Sequence, residues 1–345
     1  MARPELEQMN PTLPETLQPC GVLRFGPAEL RPGPDGVVRW PLPEELVAAP
    51  AVAWRNLSAE ALSRKCAEEI ASSYVYMTLA QMRRLVKLAL KRAGKRPLTG
   101  YGIELGAGCG LLSAVVAEQR QVRGILALEV CEKVAELLIP KVSAWVLGGA
   151  ASKVVPIAGS FDDLRLPDAA LDFAIEIDAL HHSDNLERTL RECARVLRPG
   201  AVLLCFDRCH PDSLTDAEVE EMLGQVYSRE FLVANHYPPD ARLTRRANGE
   251  HEYRRFEWER AFRTSGFSLV KTLRLERALR ARAAAKGLLS ILPPALRPPW
   301  TIRPSDTPRA TALWSRQSWR RLTGLPPRPE ILAPWGGTAF LLEKS

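Results

Sequence analysis

Several groups of residues along this 345-residue chain have types and spacings that could do chemistry. The first is Tyr101 to Gly110, where Gly106, Gly108 and Gly110 alternate with small residues, Ala107 among them, before the apolar run Leu111 to Ala117. Glycines there let the backbone turn sharply and approach a ligand where a Cβ would block it. The stretch reads as a strand, a nucleotide-binding turn and a helix start. The second is Glu129, 23 residues beyond Gly106 at the end of the apolar run Gly124 to Leu128. A carboxylate ending a second parallel strand can accept hydrogen bonds from both hydroxyls of a ribose. Further on come Phe161 and Asp162 after a third strand, Asp178, His181 and His182 after a fourth, and His210 after a fifth.

Two features bear on which nucleotide is bound. The dinucleotide fingerprint requires Gly or Ala for close helix packing where this chain has Leu111. Glu104, two residues before the loop, would oppose a pyrophosphate but suits a ligand carrying an ammonium and a sulfonium. Charge and spacing point to S-adenosylmethionine as cofactor. Glu104, Glu129, Asp162, Glu176 and Asp178 all fall at or near expected strand ends, where ligands of open α/β sheets lie. Methyl transfer is an in-line displacement helped by positioning in a dry pocket. A hydroxyl or acidic-carbon acceptor also needs a base titrating near neutrality, for which His181, His182 and His210 are candidates. His181 and His182 are preferred as catalytic residues.

Glu104 followed by Gly106, Gly108 and Gly110 resembles the first motif of the class I S-adenosylmethionine-dependent methyltransferases. The Leu180-His181-His182 ending of the fourth strand, the amphipathic stretch Asn185 to Leu197 and the turn Arg198-Pro199-Gly200 are similar to the ubiquinone and menaquinone C-methyltransferase type. The resemblance covers roughly Tyr101 to Asp207. It implies that Glu104, Gly106, Ala107, Gly108, Gly110, Glu129, Phe161, Asp162 and Asp178 bind the cofactor, with Asp162 taking the adenine amino group and Phe161 lying against the base. Ser160 stands where the family usually has Asp, which weakens the match at that position. Because the fourth-strand end faces the transferred methyl in the family, the resemblance also favours His181 and His182 as base.

The elements that must position these groups follow an α/β order. Strands at Tyr101 to Leu105, Gly124 to Glu129, Lys153 to Ala158, Leu171 to Ile177 and around Ala201 to Leu204 alternate with helical segments. A helix over Glu252 to Phe262, a strand at Gly266 to Val270 and a last, antiparallel strand at Gly337 to Glu343 complete an expected Rossmann-like seven-stranded methyltransferase sheet with helices on both faces. Residues 1–50 are a Pro-rich arm or a small hairpin around Pro34-Asp35-Gly36. Residues 51–97 form a helical cap, with a helical pattern from about Ser58 to Arg92 and with Tyr74 and Tyr76 as aromatic core or pocket residues. Residues 98–275 are the cofactor-binding core, 276–335 a basic, Pro- and Arg-rich insertion, and 336–345 the closing strand.

Composition narrows the class. Hydrophobic residues make up 46% of the chain, enough for a sizeable core. No uninterrupted apolar run of membrane-spanning length exists, so the chain is expected to be cytoplasmic, without a transmembrane segment. Seven scattered cysteines without a Cys-x-x-Cys pair argue against a disulfide framework and a zinc site, and no metal is expected. The net charge of +7 is concentrated in Lys271 to Glu330, where thirteen Lys and Arg face three acids. In that insertion, Arg277 to Leu292 followed by Pro293, Pro294 and Trp300 is expected to act as a lid over the acceptor pocket; peripheral contact with an anionic membrane is the competing reading. The expected acceptor is a small molecule, methylated at O, N or C. A nucleic-acid methyltransferase is an alternative, lacking an Asn-Pro-Pro-Tyr-type motif or an RNA-binding module. A catalytically silent binding protein is another, against which stands the joint retention of Glu104, the three glycines and Glu129.

Overall fold

The computed structural model describes residues 21–44, 46, 57–62, 79–234, 237–274 and 337–345. Two compact units divide the chain, Met1–Leu273 with Ala339–Ser345, and Arg274–Thr338. Tyr74, Tyr76 and the segment Arg277 to Trp300 lie outside the described residues.

The architecture is a mostly parallel sheet with helices between its strands. Its strands are β3 (Val38–Arg39), β4 (Gly100–Leu105), β5 (Val122–Glu129), β6 (Val154–Ala158), β7 (Leu171–Ile177), β8 (Leu197–Arg208), β9 (Phe267–Arg274) and β10 (Gly337–Lys344). They lie in the order β3-β6-β5-β4-β7-β8-β10-β9. The pairs β3–β6, β5–β6, β4–β5, β4–β7 and β7–β8 are parallel. Ile103 and Leu105 of β4, and Ile125 to Leu128 of β5, are all buried. Such unbroken apolar runs are what a central parallel strand covered on both faces requires.

Among the described residues the sheet has eight strands where seven were expected, because Val38 and Arg39 add to its edge beside Ile157 and Ala158. The expected turn at Pro34-Asp35-Gly36 is present, with Pro32 bridging Val38 antiparallel and the Gly33 N–H donating to the Val37 carbonyl at 2.9 Å, and a second hairpin precedes it. β1 (Leu23–Phe25) and β2 (Ala28–Leu30) pair antiparallel around Gly26-Pro27. Within the Pro34-Asp35-Gly36 turn the Asp35 carboxylate accepts from the Val37 N–H at 3.1 Å. Phe25, Val38 and Trp40 join the main hydrophobic cluster, so this segment is part of the core.

The helices are α1 (Leu79–Arg92), α2 (Leu111–Ala117), α3 (Glu132–Leu137), α4 (Ile139–Leu147), α5 (Leu186–Val196), α6 (Asp216–Leu223), α7 (Arg229–Ala234) and α8 (Arg255–Thr264). By length and composition the stretch Glu132–Lys153 could cross a membrane, although its sequence has no uninterrupted apolar run of that length. Here it is broken into α3, α4 and a 3-10 segment, which contact α2, β5 and β6. In α5 the Asn185 side chain accepts from the Arg188 N–H at 3.0 Å, the N-cap arrangement that supplies an otherwise orphaned donor. Arg198 to Ala201 bulge out of β8, since Leu197 sits opposite Leu171 but Val202 opposite Phe173. Trp258 and Phe262 of α8 pack on Phe340 of β10 with ring centroids 5.8 and 5.2 Å away. The Trp258 indole N–H also donates to the Arg208 carbonyl at 2.9 Å, tying α8 to the end of β8.

Candidate active site

Parallel pairing in near-common register brings the carboxyl ends of β4 to β8 to one edge: Leu105 lies opposite Leu128 and Glu176, Glu129 opposite Ala158, and Ile177 opposite Phe206. That edge is where such sheets bind ligands. Gly106, Gly108 and Gly110 all have left-handed φ, +70°, +52° and +78°. At Gly106 a Cβ would also stand 2.5 Å from the Ala179 Cβ, so only glycine lets the loop leave β4 this close to the end of β7. The Ala107 N–H donates to the Leu128 carbonyl at 2.7 Å, seating the loop across β5.

The Glu129 carboxylate ties this loop down. One oxygen accepts from the Gly108 N–H at 2.8 Å and the other from the Cys131 N–H at 2.9 Å. Each oxygen keeps a lone pair for a further donor such as a ribose hydroxyl. Burial raises the Glu129 pKa while these amides oppose the rise. In the neighbouring turn the Asp162 carboxylate accepts from the Thr189 hydroxyl, and the Asp162 N–H donates to the Ser160 hydroxyl at 3.1 Å. Ser160, in place of the usual acid, therefore caps its own turn. Phe161 is half-buried against the main hydrophobic cluster.

Glu104 is fully buried, and one of its oxygens accepts from the Ser113 N–H at 2.7 Å and the Ser113 hydroxyl. Its other oxygen, Oε1, is a buried acceptor without a partner among the described residues. Burial pushes its pKa up to about 8, against the Ser113 hydrogen bonds. Glu176 is likewise fully buried and raised well above the usual carboxylate range, by burial first and by nearby Asp207. The strand-end acids are thus in place, and burial favours the protonated form of Glu104 and Glu176. This has a consequence for stability. Between the unfolded pKa of about 4.5 and the folded value the native state holds a proton that the unfolded chain has lost, so stability falls as pH rises. Glu104→Gln removes that dependence. The variant should gain on wild type from about pH 5 upward, by at most about 1.4 kcal/mol per pH unit, and the advantage should level off near pH 8 in paired urea titrations.

Asp178 follows β7 with φ +54°, a conformation non-glycine residues adopt at a cost, fixed here by its N–H donating to the Phe206 carbonyl at 2.9 Å. Its carboxylate stands 3.7 Å from His181 Nδ1 and 3.6 Å from Arg208 Nε, in ion-pair range but beyond good hydrogen-bond length. Burial takes its pKa up to about 7, with Arg208 opposing. His181 is buried, and its ring Nδ1 and backbone N–H both bond to Asp207, at 2.7 and 3.0 Å. His182 Nδ1 lies 3.1 Å from the Gly249 carbonyl, which can only accept, so Nδ1 carries the proton. Burial pushes both imidazoles below the usual histidine range, His181 the further. The rings lie 4.2 Å apart. His210 is bound through Nε2 to Glu252, which leaves it structural in this arrangement.

Sequence reasoning missed the other half of this site. Arg208 Nη1 bonds Glu250 at 2.8 Å and lies 3.6 Å from Glu252; Arg245 meets the same two acids. Tyr227 donates to Glu250. Burial alone would raise Glu250, yet the two arginines bring it down to about 2. Asp207 and Arg208 could have been found, since they end β8 at the ligand edge. Arg245 and Glu250 lie in a loop without periodicity and gave no signal, and Glu252, expected to open the helix, precedes it, since α8 begins only at Arg255. The ligand atoms of Asp178, His181 and Asp207 fall within 4.8 Å of one another, a spacing that could hold a metal ion. His181 Nδ1 is already committed to Asp207, however, and Arg208 supplies the cation beside Asp178, so the trio is better suited to hydrogen bonding than to metal ligation.

Residues 103–205 match the family model described as a methyltransferase domain. A sarcosine/dimethylglycine N-methyltransferase from Halorhodospira halochloris is 27% identical over 81 residues, 24% of this chain and 29% of that protein. Malonyl-acyl-carrier-protein O-methyltransferase 1 of Coxiella burnetii is 36% identical over 74 residues, 21% of this chain and 25% of that one. The matches thus span less than a third of these curated relatives. A solved structure from Galdieria sulphuraria, of a protein proposed to be a sarcosine dimethylglycine methyltransferase, aligns with a TM-score of 0.47 at 18% identity, covering 77% of this chain and 85% of that chain. Residues 103–205 form a class I methyltransferase domain.

Proposed function

We propose that this chain is an enzyme that transfers the methyl group of S-adenosylmethionine to a hydroxyl, amine or acidic carbon of a small polar acceptor. The observation that carries the reading is the glycine loop locked to Glu129 on the same sheet edge as His181. Cofactor would lie along Gly106, Ala107, Gly108 and Gly110, its ribose on Glu129, its adenine near Phe161 and Asp162, and its ammonium end toward Asp178. A polar acceptor fits the charged side chains around His181, Asp178, Arg208, Arg245, Glu250 and Glu252 among them. One curated relative is named for sarcosine and dimethylglycine, small amino acids, and the other for a malonyl group on an acyl-carrier protein; the first supports a small polar acceptor. We also take residues 98–275 with 336–345 as the catalytic body.

The reaction needs a donor that the cofactor supplies and an acceptor that this chain must orient. Calorimetry should show S-adenosylhomocysteine binding and no NAD binding. Tritiated S-adenosylmethionine should label sarcosine, dimethylglycine or a malonyl thioester, the first acceptors to try. Absence of S-adenosylhomocysteine binding, or binding of NAD in its place, would overturn the proposal.

A further inference from the structure

We propose that Asp207 is the positioning residue that sets His181 as a general base; this rests on the reading that His181 takes the acceptor's proton. Both oxygens of the fully buried Asp207 are turned to His181, one to its ring Nδ1 at 2.7 Å and the other to its backbone N–H at 3.0 Å. An ionised carboxylate only accepts, so the ring proton sits on Nδ1 and Nε2 holds a bare lone pair. Among the described residues the His181 ring is hydrogen-bonded through Nδ1 and not through Nε2. The backbone that carries the ring is held as well, because the His181 carbonyl accepts from both the N–H and the ring Nδ1 of His251, each at 3.0 Å.

The reaction balances around that nitrogen. The acceptor's oxygen or carbon attacks the sulfonium methyl, the carbon–sulfur bond breaks with its pair going to sulfur, and the acceptor's proton moves to Nε2. The imidazolium so formed is countered by Asp207 through the Nδ1–H, the relation by which a buried acid holds a catalytic histidine in one tautomer. Other charges facing the ring are Asp178 from the end of β7, Arg208 from β8, His182 beside it, and Glu250 and Glu252 from the loop before α8. Arg208 opposes a charge on the ring and Glu250 and Glu252 favour it, while Asp207 is the group in direct contact.

The test is long-range 15N–1H NMR of the full chain with 15N-labelled histidine and bound S-adenosylhomocysteine, His181 being assigned from His181→Gln. Wild type should show Nδ1–H with bare Nε2 at pH 7. In Asp207→Asn the carboxamide can donate to Nδ1, so the Nε2–H tautomer should take over at least half the population while S-adenosylhomocysteine affinity changes less than about threefold. On a methylated acceptor the same variant should lose roughly 10²-fold or more in kcat, with the loss shrinking as pH rises and the acceptor ionises unaided. An Nε2–H tautomer in wild type, or an unchanged tautomer in Asp207→Asn, would overturn the proposal. Should that variant not fold, the wild-type tautomer decides alone. If His181→Gln keeps full turnover the base reading itself fails; if His181→Gln is inactive and Asp207→Asn fully active, only this inference fails.

Discussion

Replacing His181 by Ala should lower kcat by roughly 10² to 10⁴ on a hydroxyl or carbon-acid acceptor, with little change in cofactor affinity. The two adjacent histidines are equal by position in the sequence, but the fold separates their roles. His181 has a carboxylate on Nδ1, whereas His182 gives its Nδ1–H to the Gly249 carbonyl and so pins the loop. His182→Ala should therefore cost stability more than turnover, through the Gly249 carbonyl it leaves unpaired. Burial holds His181 below the usual histidine range, so it keeps its lone pair well into mild acid. The acidic limb of the kcat profile should then fall below pH 6.5. The stability sign agrees: below the unfolded pKa of about 6.5 the unfolded chain binds a proton that the native ring does not, so acid weakens the fold. Full activity in both alanine variants would mean that positioning alone drives transfer, as an amine bound in neutral form would allow.

What the sequence made legible follows from where its signals come from. Glycines alternating with small residues between Leu105 and Leu111 have one common use, and the structure puts left-handed φ at all three. Apolar runs at Ile125 to Leu128 and Phe173 to Ile175 fit strands inside a sheet covered on both faces, so the strand positions followed. By contrast β3 is two residues long and is defined by pairing with Ile157 and Ala158, more than a hundred positions away. Nothing local marks Val38 and Arg39 as a strand. The ionisation state of Glu104 was also hidden, because a carboxylate in a motif reads as charged until its burial is known. His181 and Asp207 lie 26 positions apart on different elements, and Glu250 and Glu252 reach Arg208 from a loop. Contacts of that kind arise from tertiary closure, which has no period to read. The expected lid at Arg277 to Leu292 falls outside the described residues.

Glu129→Ala should weaken S-adenosylhomocysteine binding by about 2 to 3 kcal/mol, roughly 30- to 150-fold, the cost of losing a charge-assisted hydrogen-bonded contact in a buried site. The geometry makes the loss twofold in origin. The carboxylate is the candidate acceptor for the ribose hydroxyls, and it also holds the Gly108 amide of the loop and the Cys131 amide two residues further along its own strand end. Removing it leaves two amide donors without an acceptor and frees a loop whose three glycines have intrinsically wide conformational freedom. Glu129→Gln separates the parts. Glutamine keeps one carbonyl oxygen for Gly108 or Cys131 but presents N–H groups where the second amide and one ribose hydroxyl need an acceptor, so its affinity should lie between those of alanine and wild type. Thermal melts of the unliganded proteins give the loop contribution, and calorimetry gives the sum. Unchanged affinity in Glu129→Ala would remove this residue from the cofactor site. A drop in melting temperature without a drop in affinity would make Glu129 a brace for the loop alone, and the ribose would then have to be held by the backbone of the glycine turn.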